Sequence, residues 1–415
     1  SNDPSPPART EPRHVLPPLG KDEELYDGIY AYAYDEFCDR IFTDHFTDIA
    51  FAPNRINDLG VFFDAGDADR DIIREILKDN DDVEASYCLE GDVLHKYLTE
   101  VEYDDDYSYT KIKNYAPKSN ERECALPAYV PVKDLKDASK IYLLSDYSDI
   151  HIRAVTSKEK QAVYSLIPGR IYKWGVVSVD ADGKEKLLKK GCFQTEGHLR
   201  VIKTKYIHNV RDVGGWEGLD GKHIKYGILI RGAEVEDRDH NLTKYDDFDY
   251  EAIVNEVGVD FDMDFRNDDE VGGIRYSPFG VEYTRIPLSA YDSIVRKKDR
   301  QVAFKKAILK FIDNAKKGKC TYVHCQGGAD RTGTFVFFIE GLLGVSDSDL
   351  CKDYEITSFY YHKERNDPER YLPMVKALLS MYSQDGTVGN AILNCSLSMG
   401  LTQQDIQDLR DLMLE

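Results

Sequence analysis

His324-Cys325-Gln326-Gly327-Gly328-Ala329-Asp330-Arg331-Thr332-Gly333-Thr334 is the stretch on which the reading of this chain turns. It sets one cysteine and one arginine six positions apart, among three glycines. A loop of that length, wrapped with its N–H groups inward, encloses a tetrahedral phosphate. A planar guanidinium then grips two of the oxygens through paired charge-assisted hydrogen bonds. The β-prone run Cys320–Val323 precedes the loop, and an apolar helix is expected over Thr334–Leu343. Strand, loop and helix in that order bring backbone amides and a helix N-terminus onto one anion. The same dipoles, together with Arg331, favour negative charge on Cys325, so the spacing predicts a nucleophilic sulfur there. Gln326, Gly327, Gly328, Ala329, Asp330 and Arg331 would form the phosphate cradle.

Outward from the loop, the second half of the chain reads as α/β. Val259–Phe265 alternates strictly, as a strand does, and Phe304, Ile308, Phe311 and Ile312 share one helix face. Thr402 with Asp405 predicts a capping box ahead of a last amphipathic helix. Between about 125 and 197 the pattern changes to short segments of two-residue alternation: 140–144, 151–154, 162–166, 171–179 and 187–193. Asp182-Gly183 between the last two predicts a tight hairpin with both central residues at positive φ. Residues 22–110 are acidic and tyrosine-rich. Asp67–Leu77 reads as a helix with an acidic first turn, and Glu102–Tyr109 as a solvated acidic loop without calcium spacing. The proline-rich residues 1–21 read as a disordered lead-in.

A His-Cys-x5-Arg-Thr-Gly run after a strand resembles the signature loop of the protein tyrosine phosphatase superfamily. Asn209-Val210-Arg211-Asp212-Val213-Gly214-Gly215, Ile230-Arg231-Gly232-Ala233-Glu234 and Asp264-Phe265-Arg266 resemble, in order, further motifs of a bacterial branch whose loop reads HCxxGxDRTG. The resemblance implies a central mixed sheet flanked by helices. It implies that Cys325 attacks phosphorus to give a cysteinyl-phosphate, that Arg331 and the loop amides stabilise the equatorial oxygens, and that Thr332 donates to the departing sulfur. Asp330 is the general acid expected in this branch. Asp292, in Ser289-Ala290-Tyr291-Asp292, is the competitor, lying where many relatives keep a mobile acid loop but without the usual Trp-Pro neighbours. His324, Arg211 and Asp212 read as supporting residues or substrate contacts, and Arg231 and Arg266 as internal salt-bridge partners. Cys320 is either a protective disulfide partner of Cys325 or a strand residue facing the core. Leu166–Tyr172 with the hairpin and Phe193-Gln194-Thr195 resembles the E-to-G half of a fibronectin type III sandwich. The expected organisation is therefore a lead-in (1–21), an accessory region without assigned chemistry (22–110), an all-β fibronectin III- or Ig-like sandwich (111–197) and an α/β phosphatase domain (198–415).

Composition bounds the partners. A net charge of −21 argues against nucleic acid and anionic membranes, and no apolar run approaches the ~18 residues of a membrane span. The eight cysteines form no CxxC pair and no cluster with histidine at zinc spacing, so neither a metal nor another cofactor is expected. Relatives that accept phosphoinositides often carry lysine just before the loop aspartate, where this chain has Ala329. The expected substrate is accordingly phosphotyrosine in a protein or peptide, or a small phosphomonoester, with the β-sandwich contacting a protein partner. The alternatives are a phosphoinositide or inositol phosphate phosphatase on the same scaffold and a non-catalytic phosphate-binding or adhesion module. Ser1-Asn2 and the stretch Asp3–Gly20 fit a chain trimmed at its N-terminus. One expectation is a secreted, periplasmic or lipid-anchored protein that has lost a signal; the other is a cytoplasmic one.

Overall fold

The structure, a computed structural model, describes residues 68–103, 114–115, 125–146, 151–236, 242–360 and 370–415, with the backbone alone at residues 150, 237 and 368–369 and in four short strands, His14–Val15, Ala50–Phe51, Arg55–Asn57 and Gly60–Phe63. The rest of the lead-in and most of the acidic run 102–109 lie outside the described residues.

Every residue of Leu229–Gly232, Phe261–Asp264 and Thr321–His324 is buried, charged side chains included. Strands with no wet face belong inside a parallel sheet. They form the middle of a five-stranded sheet ordered Arg211–Asp212, Leu229–Gly232, Thr321–His324, Phe261–Asp264, Glu282–Arg285. The first pair is antiparallel and the others are parallel, and the register sets both Gly232 and Asp264 beside His324. The strand that ends at Cys325 is thus central. The helix Arg331–Leu342 that follows is buried at every position from Thr332 onward, so it runs through the core. Its Phe335 packs on Phe265, Phe304 and Phe311. The expected helix face at 304–312 is buried within Lys298–Lys316, and Thr402 and Asp405 cap Gln403–Met413 reciprocally at 2.7 and 3.0 Å.

Upstream lies a seven-stranded sheet ordered Arg55–Asn57, Gly60–Phe63, Ile150–Ala154, Ala138–Ser145, Ile171–Val179, Glu185–Glu196, Val83–Cys88. Only its last pair is parallel. A separate pair, Ala128–Pro131 with Lys160–Val163, shares a core with it through Val130, Val163, Leu143, Trp174 and Phe193. Asp69 caps the helix Arg70–Leu77 by accepting from the amides of Asp71 and Ile72. The helix lies so close to the sheet that a Cβ on Gly175 would strike Ile76 at 2.4 Å. The hairpin at 180–184 differs from expectation: Gly183 is at φ +81° but Asp182 is not at positive φ. The cause is Asp180, whose carboxylate accepts the amides of Asp182 and Lys184 and so favours a type I turn closed by a left-handed glycine. The two sheets' regions meet through Arg153–Glu256, Arg170–Glu415 at 2.9 Å and Lys352 Nζ on the carbonyl of Leu98 at 3.2 Å.

Candidate active site

Loop 325–330 is held from outside by its carbonyls. The Gln326 carbonyl accepts from the Glu234 amide at 3.0 Å, and the Gly328 carbonyl from Asn209 Nδ2 at 3.2 Å and Arg231 Nη2 at 3.0 Å. With the carbonyls occupied, the backbone N–H groups of Gln326, Gly327, Gly328 and Ala329 have no acceptor among the described residues. Gly328 sits at φ +65°, and a Cβ there would strike the Gly232 carbonyl at 2.3 Å, so both conformation and contact require glycine. Cys325 opens the loop and is 2% exposed. Thr332 is fully buried, and its hydroxyl has no partner among the described residues.

Beneath the loop, buried charged side chains pair with one another. His324 meets Asp262 through Nε2 at 2.8 Å and the Cys325 carbonyl through Nδ1 at 3.2 Å. Both partners are acceptors, so both ring nitrogens carry protons. Burial works against that charge, but Asp264 and Asp262 more than offset it and raise the imidazole pKa. Asp264 in turn takes Arg266 through Nε and Nη2. Burial pushes its carboxyl up, but His324 and Arg266 hold it well below the usual carboxylate range. On the other side Asp353 binds Arg231 at 2.7 Å and Arg211 at 3.5 Å. Burial and the neighbouring Arg231 bring Arg211 down to about 10, which leaves it charged at neutral pH. Burial, then Asp353, raises the pKa of the buried Glu340 carboxyl well above its ordinary range. Two guanidiniums, those of Arg231 and Arg211, thus share the Asp353 carboxylate under the loop.

The mouth is built differently. Glu270 binds Arg331 through two bonds, 2.7 and 2.9 Å, with side chains 25% and 17% exposed. Burial opposes the Arg331 charge, but Glu270 and Cys325 hold its pKa above the ordinary arginine value. Glu270 is itself anchored, since it also accepts the Asn267 amide as the third residue of a capping box. Asp330 accepts from the Tyr291 hydroxyl and lies 3.8 Å from Arg370. Tyr291 is a non-glycine residue at φ +59°. Its amide donates to Thr334 Oγ1 at 3.0 Å and its hydroxyl lies 2.6 Å from that of Tyr354. Burial, then Tyr354 and Asp330, push the Tyr291 phenol up, so it remains a donor.

Those contacts sort the sequence-derived residues. Cys325, Arg331, Asp330 and Thr332 come together around the loop. His324 and Arg211 support it from below, Arg211 through Asn209 and Asp353. Asp212 is a step further out, taking Arg200 at 3.4 Å and the amides of Gly214 and Gly227. All three are fully buried and so are shielded from any substrate. Asp292 begins the helix Asp292–Arg296, is 44% exposed and pairs with Arg296 at 3.5 Å. Cys320 and Cys325 are free thiols. Sequence reasoning missed Glu270, Tyr291, Asp353 and Asn209 as parts of the site. Glu270 had a signal, because Asn267-Asp268-Asp269-Glu270 is a helix-start pattern.

The profile described as "Tyrosine phosphatase family" matches residues 202–415, more than half of the chain. The chain belongs to that family. A Cupriavidus necator protein named "Putative tyrosine-protein phosphatase H16_A0669" is 25% identical over 171 residues, covering 36% of this chain and 59% of its own length. This chain therefore spans only part of that tyrosine phosphatase relative. A crystal structure of P. aeruginosa TpbA is matched at 15% identity over 46% of this chain and 88% of that one, and its TM-score of 0.20 carries no argument. The family match begins at Ile202, shortly before Asn209, and contains every contact of loop 325–330 described above. No described helix is long and apolar enough to cross a membrane.

Proposed function

We propose that this member of the tyrosine phosphatase family hydrolyses phosphate monoesters through a cysteinyl-phosphate. The observation that carries the reading is the set of unbonded amides at 326–329, bounded by Cys325 and Arg331 and with the loop carbonyls already engaged outside. The Cys325 sulfur attacks phosphorus as the phosphorus–oxygen bond to the leaving group breaks, and Asp330 gives that oxygen its proton. Water then attacks phosphorus and returns a proton to Asp330, the sulfur–phosphorus bond breaks, and Thr332 donates to the departing sulfur. Amides 326–331 and Arg331 stabilise the equatorial oxygens in both steps. Tyr291 positions Asp330, which favours it over Asp292 as the acid.

The substrate class we favour is phosphotyrosine in a protein or peptide. The half-buried Tyr291 at the mouth offers aromatic surface to such a ring, and Ala329 offers no second cation for a multiply phosphorylated inositol. We also read residues 111–197 as a fibronectin III-like sandwich that contacts a protein partner. The antiparallel run Ile150–Ala154, Ala138–Ser145, Ile171–Val179, Glu185–Glu196 opposite a separate strand pair supports that reading.

Cys325→Ser is expected to abolish hydrolysis of p-nitrophenyl phosphate while phosphate binding, followed by calorimetry, survives. Unchanged turnover would end the assignment. Side-by-side kcat/KM on a phosphotyrosine peptide and on inositol phosphates separates the two substrate classes.

A further inference from the structure

Apart from the catalytic loop, Cys88, Glu90 and His95 place one ligand atom each within 4.8 Å of the others. We propose that these residues, completed by His198, form a zinc site that joins the upstream sheet to the chain entering the phosphatase domain.

Three of the four lie within residues 88–95, and His198 comes from far downstream. Cys88 ends the strand Val83–Cys88, Glu90 lies in the turn after it, and His95 is on the helix Asp92–Glu100. His198 follows the strand Glu185–Glu196 and precedes the family match. Glu90 is the hub. Its Oε1 lies 2.8 Å from His95 Nδ1 and 3.1 Å from His198 Nδ1, while its Oε2 accepts the amides of His198 and Leu199 at 3.1 and 3.2 Å. Cys88 Sγ lies 3.9 Å from His95 Nδ1.

Tetrahedral zinc, with bonds of about 2.0–2.3 Å, sets nitrogen–oxygen edges near ~3.4 Å and a sulfur–nitrogen edge near ~3.6 Å. The two carboxylate–imidazole edges are shorter than those values and the sulfur–nitrogen edge is longer, and His198, outside the 4.8 Å cluster, has to turn its ring to complete the set. Sulfur, imidazole and carboxylate together suit zinc better than magnesium or calcium. Glu90 is 1% exposed, whereas the two histidine side chains are 42% and 48% exposed and can turn their rings toward the ion. The second carboxylate oxygen, fixed by two amides, orients the ligand. Binding releases the thiol proton of Cys88 to solvent and forms a zinc–sulfur bond.

The test uses the full chain carrying Cys325→Ser, so that the loop thiol cannot compete for metal. After chelator treatment and dialysis, Zn2+ titration read by elemental analysis is expected to give one equivalent per chain and a rise in Tm. Co2+ is expected to give a thiolate charge-transfer band. Cys88→Ser should remove that band, and His95→Ala should weaken metal binding by about tenfold or more. Zn2+ should slow alkylation of Cys88 in the chain with its own metal ligands intact, read peptide by peptide in a mass spectrometer, and EDTA should restore it. The alkylation arm stands whether or not the variants fold. In the chain with Cys325 intact, Cys88→Ser should leave turnover of p-nitrophenyl phosphate unchanged. Equal alkylation of Cys88 with and without Zn2+, or a cobalt spectrum indifferent to Cys88→Ser, would overturn the proposal and leave Glu90 as the centre of a hydrogen-bond network.

Discussion

The floor and the mouth of loop 325–330 carry the same kinds of charge in opposite surroundings. Arg231, Arg266, Asp264 and Asp353 beneath it have side chains 0–3% exposed. Arg331, Glu270, Asp330 and Arg370 around it are 17–43% exposed. A buried ion that loses its partner cannot turn to water, whereas an exposed one can. The floor should therefore govern whether the loop is folded, and the mouth should govern what it does once folded.

The largest expected effect belongs to the mouth. Asp330→Asn should lower kcat by about 10²–10⁴ and flatten the acidic limb of the pH profile, with stability near that of the unaltered chain. A greater loss from Asp292→Asn would move the acid and break the comparison. Next comes the floor, where Asp353→Ala strands two buried guanidiniums. It should cost about 3–5 kcal/mol in urea unfolding, and a loss below about 1 kcal/mol would show that the floor is not the support. Glu270→Gln should be milder, raising KM several-fold as Arg331 loses its charged anchor, with little change in unfolding midpoint. Because the proposed chemistry runs on sulfur, EDTA should leave turnover intact.

The smallest effect concerns a carboxylate with no salt-bridge partner among the described residues. Asp249 accepts the amides of Lys205 and Tyr206, yet burial lifts it from 3.8 to about 6. Between those values the folded state binds more protons than the unfolded one, so this group's contribution to stability is full below about pH 4 and is lost as pH rises through about 6. Asp249→Asn should remove that slope from unfolding curves taken at several pH values. An unaltered slope would assign it to another group.

The loop was legible because an oxyanion cradle needs a fixed count of amides between its sulfur and its guanidinium, and that count is written contiguously. The helices at 298–316 and 403–413 were legible from periodicity and a cap. Asp353 was not, since nothing marks one aspartate in Asp347–Glu355 as the partner of arginines more than a hundred residues upstream. The hairpin at 182–183 was misread because Asp180 competes for the turn amides from outside the dipeptide.

By itself, then, the amino-acid order determined the residue types and spacing around Cys325, and with them the anion the loop would suit. Only the tertiary structure decided which charges lie under that loop, which of two aspartates faces it, that Cys88, Glu90 and His95 converge, and that His198 meets Glu90. Spacing along a chain governs contacts within one turn or loop, whereas pairings between distant strands and helices depend on sheet register and packing, which no local stretch encodes.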